Sequence, residues 1–176
     1  MGKPQLSRNF IVHFLAGGSI VLARLLPHLA NATPLIPLTL LFGTKRKYPW
    51  SIILGMLASD YILGFDTTAI VIYPFIFLTS YLPRLMGTSM LGITASSVIS
   101  SLTFYFISNA AVWIFTSLYP YSISGLMQCL YMGIPFLKNH LLSDIIATIC
   151  LVKGSEFYTA PARARTPMLV TTENKK

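Results

Sequence analysis

LMGTSMLGITASSVISSLTFYFISNAAVWIFTSLYPYSISGLMQCLYMGIPFL, residues 85–137, runs for 53 positions without an Asp, Glu, Lys, Arg or His. As one helix it would reach roughly 80 Å at about 1.5 Å per residue, more than twice the ~30 Å hydrocarbon thickness of a bilayer. It is too long and too apolar for a soluble core, so it must fold back on itself inside a membrane. The turn falls at Tyr119-Pro120-Tyr121, followed by Ser122, Ser124 and Gly125. Proline breaks a helix, and tyrosine favours the membrane–water boundary.

Working outward, the whole chain has the same character. Of its 176 residues, 54% are hydrophobic and only 10% charged, and the mean hydropathy is +0.66. That is the composition of an integral membrane protein with room for about six spans and no sizeable soluble part. The first span covers 9–26 and a short apolar piece covers 34–42. The third covers 49–63, stopped by Gly64 and Asp66. The fourth covers 67–82, stopped by Pro83 and Arg84. The fifth covers 88–118 and the sixth 122–151. The expected organisation is a cytoplasmic N-terminus at 1–8, an all-α, six-helix transmembrane domain at 9–152, and a basic, disordered cytoplasmic tail at 153–176.

Two of these spans depart from the usual length. The second is too short to cross upright, so it is either a half-span buried among its neighbours or extended by the loop before it. The sixth is long, contains Pro135, and carries Lys138, Asn139, His140 and Asp144 in its second half, so a kinked, tilted or split helix is expected. Cys129 and Cys150 lie in apolar segments without a CxxC pair and read as small buried hydrophobes.

Cationic residues set the orientation, because loops rich in Lys and Arg stay in the cytoplasm. Lys3, Arg8, Lys45, Arg46, Lys47, Arg84, Lys153, Arg163, Arg165, Lys175 and Lys176 all fall on one side of a six-crossing topology with both termini inside. A seventh crossing near Lys138 would put the basic tail outside. The net charge of +8 is accounted for by topology and contact with anionic lipid, without a nucleic-acid partner. Ala30-Asn31-Ala32 after an apolar run imitates a signal-peptide cleavage site, but Arg24 and His28 intervene, which is unusual for a signal.

Ionisable groups within spans are the functional candidates, because each costs about 2.5–3.5 kcal/mol at the helix centre on insertion scales. On the six-span topology Arg24, His28, Asp60, Asn109, Trp113 and Gln128 come to the outer half of the bundle and outline an outward pocket. Arg24 with Asp60 also reads as a structural ion pair between the first and third spans. Asn109 and Trp113 are four apart and share a helical face, as do His140 and Asp144. An Asp that orients a His serves metal or proton chemistry, but two ligands make no metal site, so that pair reads first as structural. Gly92, Ser96 and Ser100 form a small-residue face, and Ala16, Gly17, Gly18 and Ser19 a slim patch, both suited to close helix packing. No HExxH, GxSxG, Walker, dinucleotide or EF-hand motif occurs.

Several local patterns in order extend over residues 24–152. They are Arg24-Leu25-Leu26-Pro27-His28; Asn31-Ala32-Thr33-Pro34 leading to Leu41-Phe42-Gly43; Ser59-Asp60 with Leu63-Gly64-Phe65; Ser108-Asn109 with Val112-Trp113; and Tyr119-Pro120, Gly125-Leu126, Cys129, Pro135-Phe136, Asn139 and Asp144. Together they resemble a family of uncharacterised bacterial inner-membrane proteins that is itself similar to the substrate-capturing S components of energy-coupling factor (ECF) transporters. Ala32 and Ser143 depart from that pattern, which often has an aromatic and a glycine there. The resemblance implies a six-helix bundle that binds a vitamin or metal ion and docks on a transmembrane coupling subunit driven by two ATPases. It implies substrate contacts from Arg24, Asn31, Asp60, Asn109 and Trp113, with Ala16 to Ser19 touching the coupling partner. No cofactor and no catalytic residue are expected. Two other classes fit the residues: an assembly protein held in a complex by its small-residue faces, and a lipid-modifying membrane enzyme using His140 and Asp144.

Overall fold

The computed structural model describes residues 8–26, 33–45, 47 and 49–159. Within them the chain is all α: α1 (Arg8–Leu25), α2 (Leu35–Thr44), α3 (Trp50–Leu63), α4 (Ala69–Thr79), α5 (Leu82–Met86), α6 (Met90–Phe115) and α7 (Ile123–Thr159). Three stretches, Ala69–Met86, Met90–Phe115 and Ile123–Glu156, are long and apolar enough to cross a membrane. α1, α2 and α3 are shorter apolar helices.

The distribution of side chains inverts that of a water-soluble domain. Phe14, Leu54, Ile70, Leu85, Leu91 and Met127, one each from α1, α3, α4, α5, α6 and α7, are all more than 60% exposed. Ser59, Thr79, Ser96, Ser97, Ser100, Ser101 and Asp144 are buried instead. Water would penalise so much exposed apolar surface, whereas hydrocarbon solvates it. Hydroxyls inside the bundle are made tolerable locally. Thr39 donates to the Leu35 carbonyl, Ser96 to that of Gly92 and Ser59 to that of Met56, each at 2.8 Å.

α2 is the exception to the outward apolar face, because it has no outward face. Leu35, Ile36, Pro37, Leu38, Thr39, Leu40, Phe42 and Gly43 are all buried, and the helix packs on α3, α4, α5, α6 and α7. Of the two readings open for this segment, burial among neighbours is the one realised. Pro37 is tolerated because its missing N–H belongs to the first turn, where no intrahelical acceptor exists. At the far end Gly43 lies against the backbone of Ser80, where a β-carbon would come within 2.1 Å of the carbonyl oxygen.

α1 and α3 pack intimately on one another. A β-carbon on Gly17 would come within 2.7 Å of the Ser51 carbonyl oxygen, and one on Gly55 within 2.5 Å of that of Gly17. Ala16, Ile20, Ile52 and Met56 fill the core beside this crossing, and His13 Nδ1 meets Ser51 Oγ at 3.0 Å. The Ala16–Gly17 part of the slim patch is therefore occupied by the chain's own α3.

Two expectations need correction. The fourth span does not stop at Pro83: α4 ends at Thr79, and Pro83 sits in the first turn of α5, a position proline favours, so the apolar stretch continues to Met86. The basic tail does not begin at 153, since α7 continues unbroken through Pro135 to Thr159. At about 1.5 Å per residue it is roughly 55 Å long, well over the ~30 Å hydrocarbon thickness of a bilayer. Residues 160–176 lie outside the described part. Ser89 caps α6 by accepting from Gly92 N at 3.2 Å, and Ser122 opens α7 by accepting from Gly125 N at 3.1 Å.

Candidate functional site

α6 and α7, the two longest helices, form the largest packed pair and hold between them a cavity of about 520 Å³. That is a usual size for a small-molecule site. Leu118 and Tyr119, from the turn between the helices, line one end, while Ser101 and His140 line the other. Phe104, Tyr105, Met132 and Phe136 give the walls an aromatic and apolar character.

The polar groups of the walls are held by the helices themselves. Tyr105 donates its hydroxyl to the Leu130 carbonyl at 2.5 Å, fastening α6 to α7. Asn109 donates to the Tyr105 carbonyl at 2.8 Å, and its side chain rests directly over Gly133, where a β-carbon would stand 2.6 Å from Oδ1. Any larger residue at 133 would push that amide. The Cys129 thiol donates to the Asn109 carbonyl at 3.3 Å.

At the deep end lies a buried polar column. Asp144 is 0% exposed and its Oδ2 accepts from Ser101 Oγ at 2.8 Å. His140 Nε2 lies 2.9 Å from the same oxygen, one helical turn away, and the imidazole stacks on Phe104 at 4.8 Å. Thr148 donates to Ser97 at 3.1 Å one turn further along both helices. Ser101 stands 11 residues from the start of α6 and 14 from its end, so the column crosses near the middle of that helix. The arrangement is not a nucleophile triad. The Ser101 hydroxyl lies 2.8 Å from both the Ser97 carbonyl and the Asp144 carboxylate, and His140 meets the carboxylate, so the Ser–His contact of such a triad is not made.

A second cluster ties α1, α3 and α4 together. Arg24 pairs with one carboxylate oxygen of Asp60, and the Tyr73 hydroxyl donates to the other. Asp60 is 6% exposed, so it is a buried carboxylate whose charge is offset by a guanidinium and whose second oxygen is also served. This is the structural-pair arrangement. Sequence reasoning missed Tyr73, which in an apolar run shared with Phe75 and Phe77 gave no sign of a polar task.

The five expected substrate contacts are thus distributed. Arg24 and Asp60 engage one another, Asn109 lines the α6/α7 cavity, and Asn31 lies outside the described residues. Trp113 does not line the cavity. Its Nε1 donates to the Pro120 carbonyl at 3.0 Å and its ring stacks on Tyr121 at 4.6 Å, so it pins the turn at the cavity end. Gln128 is exposed on α7, and His28 is outside the described residues. Gly92, Ser96 and Ser100 are buried within the chain, with Gly92 pressed against the carbonyls of Met86 and Gly87. Cys129 is buried, but Cys150 is exposed on α7, against expectation.

Among the described residues no group of three or more His, Cys, Asp or Glu side chains comes together that could hold a metal ion. No curated protein and no solved structure matches the chain. Residues 4–167, nearly its whole length, match the model of DUF6580, described as a family of unknown function, and the protein belongs to that family.

Proposed function

We propose that this protein is the substrate-binding membrane subunit of an ECF-like uptake system for a small polar organic molecule of vitamin size. The observation that carries the reading is the cavity of about 520 Å³ between α6 and α7, with polar groups at both ends and aromatic walls. In this reading all six apolar segments lie in the membrane, with α4 and α5 forming one span and α2 packed inside the bundle. Both termini are cytoplasmic, as the one-sided placement of Lys45, Lys47, Arg84 and Lys153 favours. The Leu118–Tyr119 end of the cavity then faces outward and the Ser101–Asp144–His140 column lies at depth. Uptake would need a separate coupling subunit with its ATPases. Gly18 offers an open place on α1, since a β-carbon there meets nothing within 4 Å, whereas Gly17 is already taken by α3.

The test is the thermal stability of detergent-purified protein against a panel of vitamin-sized solutes and metal ions. A ligand at about a hundred times its Kd should add about 2.7 kcal/mol of stability. A saturable rise with at least one organic solute, lost when Gly133→Val displaces Asn109, is the expected result. Absence of any shift, together with absence of a co-purifying coupling subunit, would reject the reading.

A further inference from the structure

We infer that the α6/α7 cavity selects an organic cation, an amine carried on an aromatic or apolar body, and rejects carboxylates and phosphates of the same size. The inference rests on reading the cavity as a small-molecule site and concerns what that site admits. Its basis is the charge at the deep end. Asp144 is fully buried, its Oδ1 has no hydrogen-bond partner, and its Oδ2 is approached only by Ser101 and His140. Those two side chains both line the cavity, so the carboxylate is in direct contact with two residues of its wall.

Among the described residues no Lys or Arg pairs with this carboxylate. The cavity lining contains no Lys and no Arg. α2, which also packs on α7, contributes no ionisable residue, and from α6 Asp144 is met by the Ser101 hydroxyl. Among the described residues the one ionisable side chain in contact with Asp144 is the His140 imidazole, which can at most balance a single charge. An anion entering the cavity thus finds no counter-charge, while a cation finds a carboxylate short of donors in a medium of low dielectric. Contrast the Arg24–Asp60 cluster, where the guanidinium already neutralises the acid and Tyr73 takes its second oxygen. The walls supply the rest of the selectivity, because the faces of Tyr105, Tyr119 and Phe136 attract a cation and accommodate a flat apolar body.

Benzylamine, benzyl alcohol and benzoate differ in charge at nearly constant shape. Their binding to the full chain in lipid nanodiscs, with empty nanodiscs subtracted, is measured by equilibrium dialysis. Benzylamine should bind at least about tenfold more tightly than benzoate, with the alcohol between them. Asp144→Asn should bring the three within about threefold. His140→Gln keeps the carboxylate and should retain or widen the preference for the amine, which provides a second variant should Asp144→Asn fail to fold. Benzoate binding as well as benzylamine to the wild-type protein would overturn the inference while leaving the cavity a small-molecule site. Failure of all three to saturate would overturn both.

Discussion

Replacing Gly17, Gly18 and Gly55 with alanine one at a time separates backbone packing from intrinsic helix preference. A β-carbon at Gly17 would stand 2.7 Å from the Ser51 carbonyl oxygen and one at Gly55 2.5 Å from that of Gly17, while ordinary contact begins at 3.4 Å. The shortfalls are about 0.7 Å and about 0.9 Å, and backbone cannot rotate away as a side chain can. Each alanine must force α1 and α3 apart, which costs about 1–3 kcal/mol as overpacking, against about 1 kcal/mol gained from the better helix former. At Gly18 the added methyl meets nothing, so only the gain remains. Denaturant or thermal unfolding in detergent should rank Gly18→Ala above the wild type, Gly17→Ala at or below it, and Gly55→Ala lowest, up to about 2 kcal/mol down. Equal stability of Gly17→Ala and Gly18→Ala would refute the reasoning, because the two differ only in what lies opposite.

Arg24→Ala leaves the Asp60 carboxylate buried with the Tyr73 hydroxyl still donating to it, and should destabilise the fold by about 3 kcal/mol, the lower end for a broken buried pair because Arg24 is partly exposed. Tyr73→Phe, measured the same way, should cost about 1–2 kcal/mol. Asp66, in the loop before α4, accepts from the Thr68 backbone N–H at 2.7 Å, and that bond, with a further one from the Thr68 side chain, holds its carboxyl below the usual carboxylate range. Its folded value is depressed, so its contribution is present above the unfolded pKa and lost as pH falls through the folded one. Acid titration of unfolding should show this small loss in the wild type and not in Asp66→Asn. N-ethylmaleimide on detergent-solubilised protein should modify Cys150 readily and Cys129 only after unfolding, with peptide mapping as the readout.

Much of the architecture was legible because a bilayer imposes simple rules. Apolar runs ended by Gly64 and Pro120 located α3, α6 and the start of α7 to within a few positions. The errors have physical sources. Pro83 reads as a stop in sequence, yet in the first turn of α5 its ring costs nothing. In sequence α7 ends at 151, because Lys153 and Glu156 look like tail residues, whereas the helix carries both without a break. The site was less accessible. The four-residue spacing of His140 and Asp144 revealed that they pair, but their junction with Ser101 depends on the register between two helices, which no local pattern reports. Arg24 and Asp60 were grouped with Asn109 by depth alone. Depth says nothing about azimuth around a bundle, and α1 and α3 in fact face each other.

The burial of α2 on every side also bears on how the chain is made. Ten residues are too few to span lipid unaided, and the helices that enclose it, α4 to α7, emerge from the ribosome after it. The nascent chain therefore passes through a stage in which this segment lacks most of the helices that enclose it, until the C-terminal half arrives. A polypeptide truncated after α3 would keep its apolar peg without a socket, and cellular quality control should remove it far faster than the complete protein.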